Sequence, residues 1–229
     1  MAEAAEAMYR VSAAATSSDE RSDVYQQLRD RLLIGDIPPG ARLNIEKLAR
    51  ESGVSPTLVR EALLRLEGDD LVVRVHNKGY RTTELLNVRE LEELFQLRLL
   101  LEPWAARQAA ARELGGPSRT LLEQAHQMAQ DAEIDGIDRQ RLIEHDMEFH
   151  DGIVRGAGNR AVQRAFERTH CHLHLFRLSP PHLDGRHTAH EHTAISEAIL
   201  AAQPRAAEAA MRDHLTASYE RFIRTVPLA

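Results

Sequence analysis

Residues 45–83 read IEKLARESGVSPTLVREALLRLEGDDLVVRVHNKGYRTT, and their spacing decides the fold of the first third of the chain. Ile45 and Leu48 stand three apart on one helical face, and Ala49 is small enough for a second helix to cross closely over the first. Gly53 supplies the positive φ that a tight connection between two helices needs. Ser55 is suited to cap the second helix. Pro56 suits its first position, where a missing N–H leaves nothing unpaired. Val54, Val59, Ala62, Leu63 and Leu66 share a face for burial, which turns Thr57, Arg60 and Glu61 elsewhere. Two β-rich stretches follow, Leu71–Val75 and Tyr80–Thr83, joined by His76-Asn77-Lys78-Gly79 in the manner of a tight hairpin. Helix, glycine turn, Ser-Pro cap, arginine-bearing helix and basic wing, in this order, predict a winged helix-turn-helix that binds double-stranded DNA.

Working outward, 229 residues suit two modest domains, and 43% apolar content can supply two cores. Only 4% of residues are aromatic, while Ala, Leu and Arg abound, which favours helices over a β-sandwich. No apolar run approaches the roughly 20 residues of a membrane span, and residues 1–20 lack the apolar core of a signal peptide. The single cysteine, Cys171, rules out an intrachain disulfide and fits a reducing cytoplasm, where it reads as a half-buried helix residue. A net charge of −6 is unexpected for a DNA binder until it is divided by region. Residues 21–83 hold 11 Lys/Arg against 9 Asp/Glu, whereas residues 84–229 hold 17 against 22. Affinity for DNA should therefore rest on a few placed cations and on pairing of two chains, not on a broad basic field.

The chain is expected to be mainly α. Residues 1–20 form a disordered tail, 21–84 a winged helix-turn-helix domain opened by a helix over Asp23–Leu33, and 85–88 a linker. Residues 89–226 form an all-α bundle of about six helices: Arg89–Ala111, Ser118–Ala132, Asp138–Val154, Arg160–Leu178, His187–Ala202 and Pro204–Ile223. Ser179-Pro180-Pro181 stops the fourth of them. Among twelve histidines, His150 follows Asp146 at i+4, so both leave one helix face about one turn apart. His192 lies in the next-to-last helix and His214 in the last. A carboxylate and three imidazoles from three helices suit a divalent transition metal with one or two open positions. From spacing alone, a solvated Asp146–His150 pair with the other histidines apart is the more ordinary reading.

These stretches together resemble transcriptional regulators of the GntR family, in the branch carrying a FadR C-terminal (FCD) effector domain. The resemblance spans residues 21–225 and runs through GVSPTLVREALLRLEGDDLV, NKGYRTTEL, LEELFQLRLLLEPWAARQAA, DMEFHDGIVRGAGN, EHTAISEAI and AAEAAMRDHL, in that order. It implies a divalent metal, zinc foremost with nickel or manganese as alternatives. In metal-binding members an Asp-x-x-x-His pair and two later histidines about 22 residues apart are the ligands. Asp146, His150, His192 and His214 fall on that pattern. The recognition helix of the family opens Ser-Arg-x-Pro-Val-Arg, whereas this one reads Ser55-Pro56-Thr57-Leu58-Val59-Arg60. Pro56 thus replaces an arginine that meets DNA in relatives, and Glu46 stands where the fatty-acid-responsive relative has another. Ser55, Thr57, Arg60, Lys78 and Gly79 remain as DNA-contacting candidates, although Arg60 can instead pair with Glu67 or Glu61.

Arg98 sits among apolar neighbours on the first helix of the bundle, one turn before Glu102. It can hold an organic acid bidentately or simply pair with Glu102. His170 and His174 can line the same cavity or face solvent. The expected function is a cytoplasmic DNA-binding regulator, a repressor acting as a homodimer on a pseudo-palindromic operator. Its control comes from a small carboxylate bound near the metal. A direct metal-ion sensor and a His₃Asp metalloenzyme with a DNA-binding head are the alternatives. The enzyme is disfavoured because no separate general base or nucleophile accompanies the ligands.

Overall fold

The computed structural model describes residues 23–112, 117, 119–134, 138–179 and 185–226. The expected tail at 1–20 and the Pro180-Pro181 stop lie outside the described residues. The chain divides into two compact units, one up to Glu84 and one from Leu85.

The first unit begins with helix α1 (23–33) and a two-residue strand β1 (Arg42–Leu43). Helix α2 (Ile45–Ser52) follows, capped by the Asn44 side chain, which accepts the Lys47 N–H at 3.0 Å. Gly53 ends α2 at φ 67, in the left-handed region, and donates its N–H to the Ala49 carbonyl. Helix α3 (Pro56–Gly68) then starts on the Ser55 side chain, which accepts the Leu58 N–H at 3.3 Å. Val59, Ala62, Leu63 and Leu66 are buried, as are Leu28, Leu32, Leu48 and Leu71 of the same unit, while Val54 is only half-buried. Strands β2 (Val72–Val75) and β3 (Gly79–Thr82) form the wing, whose turn closes as Lys78 N–H donates to the Val75 carbonyl at 3.0 Å. Asn77 takes a positive φ there.

The antiparallel sheet has the order β1-β3-β2, with Leu43 opposite Tyr80. Strand β1 was not foreseen, because two residues carry no alternation to read. Buried Thr82 fastens this edge: its Oγ1 donates to the Pro38 carbonyl at 2.7 Å and accepts the Ala41 N–H at 2.8 Å.

The second unit is all α. Helix α4 (Val88–Ala111) opens with a reciprocal capping box between Asn87 and Glu90 and runs through Pro103. Helices α5 (Arg119–Ile134), α6 (Arg139–Gly156), α7 (Arg160–Glu167), α8 (Cys171–Leu178), α9 (Arg186–Leu200) and α10 (Pro204–Ile223) follow. Helix α10 packs on α4 and α9, α5 on α9, and α6 on α4. Their main core holds Phe149, Ile153, Ile195, Met211 and Leu215. A second apolar cluster gathers Leu91, Phe95, Leu175 and Leu178, with Leu85, Leu86 and Phe222 packed against it.

The expected single helix over Arg160–Leu178 is two helices. Nothing in its composition forbids continuation, so the break comes from tertiary packing. Thr169 Oγ1 donates to the Phe166 carbonyl at 2.6 Å and accepts the Cys171 N–H at 3.2 Å, while His170 takes φ 44. On an unbroken helix Phe166 and His172 would lie about 120° apart around the axis. The break rephases the chain so that both are buried.

Candidate functional site

Three helices bring one carboxylate and three imidazoles together. Asp146 and His150 come from α6, His192 from α9 and His214 from α10, and one ligand atom of each lies within 4.8 Å of the others. His150 and His192 are fully buried, and Asp146 keeps only 9% exposure. The solvated-pair alternative for Asp146 and His150 is thereby excluded.

The three rings are oriented alike, each with Nδ1 engaged and Nε2 turned inward. His150 Nδ1 meets the Glu102 carboxylate, His192 Nδ1 meets His145 Nε2 at 3.1 Å, and His214 Nδ1 meets Glu191 Oε2 at 2.7 Å. Phe149 stacks on the His192 ring, centroids 4.0 Å apart and planes 13° from parallel, which fixes that ring further. On the inner side His150 Nε2 and His214 Nε2 lie 3.2 Å apart. Asp146 Oδ1 is 3.6 Å from His192 Nε2 and 3.9 Å from His150 Nε2.

An ion about 2.1 Å from two nitrogens separates them by roughly 3.0 Å at a right angle and roughly 3.4 Å at the tetrahedral angle. The 3.2 Å separation falls between these values. His192 Nε2 is buried and makes no hydrogen bond. A buried nitrogen left so costs free energy unless something meets its lone pair. The donor set therefore fits a divalent transition metal, and the outer partners Glu102, His145 and Glu191 match the way metal-bound histidines are held.

Protonation agrees with this chemistry. Burial pushes the His172 imidazolium down to about 3, and burial likewise lowers His192, His214 and His145 below the usual histidine value. Burial opposes ionisation of Asp146, but the imidazoles of His150 and His172 and the Arg98 charge outweigh it and keep the carboxyl below its ordinary range. Neutral imidazoles beside an ionised carboxylate are the ligand forms a metal requires. Burial also opposes ionisation of Glu191, yet the hydrogen bonds from His214 and Arg221 hold it at about 2.

Of the two roles anticipated for Arg98, the pairing with Glu102 is present. Its Nε donates to Glu102 Oε1 at 2.5 Å and its Nη2 to Glu102 Oε2 at 3.3 Å, the pair being shut away from solvent. It also lines a cavity of about 40 Å³, together with Asp146, Thr188, His214, Ser218 and Arg221. Arg221, which the sequence reading missed, is bound bidentately to Glu191 at 2.7 Å through each nitrogen. Glu191 therefore connects the cavity's second arginine to a ring of the histidine cluster.

His145, His172 and Glu191 were likewise missed. Glu191 had one signal, its position beside His192 in the EHT motif. His172 was hidden by the expected continuous helix, whereas His170 and His174, which were considered, are half-buried. Cys171 is fully buried rather than half-buried, and that burial pushes its thiol up to about 12.

In the first unit, Ser55, Thr57, Arg60, Lys78 and Gly79 are all exposed. Ser55 caps α3 and so keeps its hydroxyl close to the helix start. Arg60 Nη2 stands 3.9 Å from Glu46 Oε1. Both partners are more than half exposed, so this contact is weak and leaves the guanidinium available.

Comparison with known proteins gives this geometry a class. The family model "Bacterial regulatory proteins, gntR family" matches residues 20–82, and the FCD domain model matches residues 93–217. The HTH-type transcriptional regulator YdhC of Bacillus subtilis (strain 168) is 27% identical over 202 residues, covering 86% of this chain and 88% of its own. The HTH-type transcriptional repressor GlaR of Escherichia coli (strain K12) is 28% identical over 204 residues, covering 84% and 91%. A GntR-type transcriptional regulator structure from Rhodococcus sp. RHA1 superposes with a TM-score of 0.71 at 19% identity, over 90% of this chain and 98% of the other. The chain belongs to the GntR family of bacterial regulators, in the group with an FCD domain. It is a transcriptional regulator, like its relatives, and not an enzyme. Among the described residues no helix is long and apolar enough to cross a membrane.

Proposed function

We propose that this regulator is a cytoplasmic repressor controlled by a small carboxylate bound beside a divalent metal, zinc foremost, on Asp146, His150, His192 and His214. The observation that carries this reading is the convergence of three inward Nε2 atoms on Asp146 at the wall of a cavity containing two arginines. When bound, the ion supplies a Lewis-acidic point for a carboxylate oxygen. Arg98 and Arg221 set a positive field in the cavity, while Thr188 and Ser218 offer hydroxyls to a hydroxy acid. A cavity of about 40 Å³ favours an acid of a few heavy atoms. Its wall includes Phe222, and Phe222 also packs in the cluster that holds Leu85 and Leu86. Acid binding is thereby coupled to the segment 85–88 that leads to the DNA-binding unit. Binding of a fluorescent operator fragment, with metal alone and then with metal plus short-chain hydroxy acids, tests the reading. An acid must change operator affinity only when metal is present. A response to metal alone would make the protein a metal sensor instead.

On DNA, Arg60 and Thr57 face the bases, Ser55 lies at the helix start, and Lys78-Gly79 reach the backbone from the wing. Arg60→Ala should cost about 1–3 kcal/mol at one operator position and relax the preference there. Lys78→Ala should weaken all sequences alike and lower the salt slope by about one. Equal effects of Arg60→Ala on operator and random DNA would remove its reading role.

A pseudo-palindrome needs two heads, and α4 offers a face for pairing. Leu97, Leu100 and Trp104 recur at helical spacing, and Leu100 is 73% exposed. Leu100→Glu should convert a dimer to a monomer in sedimentation velocity. An unchanged dimer would place the interface elsewhere.

A further inference from the structure

We infer that His172 is a positioning residue that restricts Asp146 to binding metal through a single oxygen, an inference that rests on the metal reading above. The two oxygens of Asp146 have different neighbours. Oδ1 looks toward His192 Nε2 and His150 Nε2, at 3.6 and 3.9 Å. Oδ2 looks toward His172 Nε2, at 3.4 Å. His172 is only 5% exposed, on α8, and its Nε2 has no hydrogen-bond partner in the present geometry. Asp146 Oδ2 is therefore the acceptor it can reach with a small adjustment.

The tautomer follows from the other side of the ring. His172 Nδ1 faces the buried Cys171 Sγ at 3.6 Å. A buried thiol is a weak donor, which makes Nδ1 the acceptor and puts the ring proton on Nε2, facing Asp146. The ring is further held against Phe166, edge-on at 5.8 Å, and beside the His150 ring at 5.0 Å. Asp146 Oδ2 thus faces a proton donor 3.4 Å away, and Oδ1 is the oxygen beside His192 Nε2 and His150 Nε2. A carboxylate kept to one oxygen leaves one more coordination position for an outside ligand. That position is what a carboxylate effector needs. The same ring borders a second cavity of about 240 Å³, lined by Met147, Asp151 and Glu167, so it also stands between Asp146 and that space.

The test uses the full-length chain loaded with Co(II), whose visible spectrum reports coordination number and donor set. Wild-type protein is compared with His172→Ala, His172→Phe, which fills the ring's space without a donor, and His172→Gln, which places an N–H near Nε2. Metal-free melting curves check that each variant folds. His172→Ala and His172→Phe should change the Co(II) band and weaken affinity by about 10–100-fold, while His172→Gln keeps both near wild type. If alanine or phenylalanine leaves band and affinity unchanged, His172 does not position Asp146. If glutamine behaves like phenylalanine, the ring acts by ligation or packing, and the inference fails. Wild-type protein that takes up no Co(II) would overturn the metal reading itself.

Discussion

Glu102→Gln should lower the unfolding free energy by about 3–5 kcal/mol, the usual cost of stranding one member of a buried ion pair. Arg98 is 1% exposed and its charge has Glu102 for its bidentate partner, so glutamine leaves a buried guanidinium uncompensated. Burial opposes the Glu102 charge, but Arg98 and His150 outweigh it and hold the carboxyl far below its ordinary range. The native state therefore depends on that carboxylate being ionised. The loss should appear in urea denaturation of the chelated protein. Replacing the pair together, Arg98→Met with Glu102→Leu, should recover much of it, because no stranded charge remains. A loss under about 1 kcal/mol in Glu102→Gln would mean that water reaches Arg98 and that the pair is not sealed. Glu102 also receives His150 Nδ1, so the same variant should bind metal about 10–100-fold more weakly.

His192→Ala combined with His214→Ala should abolish metal retention. It removes two of four donors, from two different helices, and leaves only the Asp146–His150 pair on α6. Elemental analysis after dialysis should show one equivalent in the wild type and essentially none in the variant. Thermal melting gives a second readout: metal at 100 times its Kd adds about 2.7 kcal/mol to the native state, and the variant should gain nothing. A doubly substituted protein that still held one equivalent would place the ion elsewhere. His145→Ala is the informative contrast. It removes only the partner of His192 Nδ1, so metal should be retained with reduced affinity.

Local chemistry made the DNA-binding unit legible. Gly53, Ser55 and Pro56 each carry a backbone requirement that hardly depends on the rest of the chain, and α2 ends and α3 begins where those residues place them. Strand β1 escaped because its pairing with β3 is a tertiary event between short segments. In the bundle, spacing brought Asp146 to His150, but no pattern along one helix says which face of α9 or α10 will meet it. His192 and His214 were named from their places in the last two helices, and the resemblance is what singled them out as ligands. His172 and Arg221 stayed hidden for the same reason, since a break at His170 and the packing of α10 decide where those side chains go.

Trp104 is the chain's only tryptophan and stands 36% exposed on the apolar stripe of α4. All indole emission therefore originates at one place, two residues along from Glu102 and beside the face assigned to pairing. Its colour and its quenching by acrylamide report, without any label, whether that face is wet or covered. Association can thus be followed by light from the native protein at concentrations far below those needed for sedimentation.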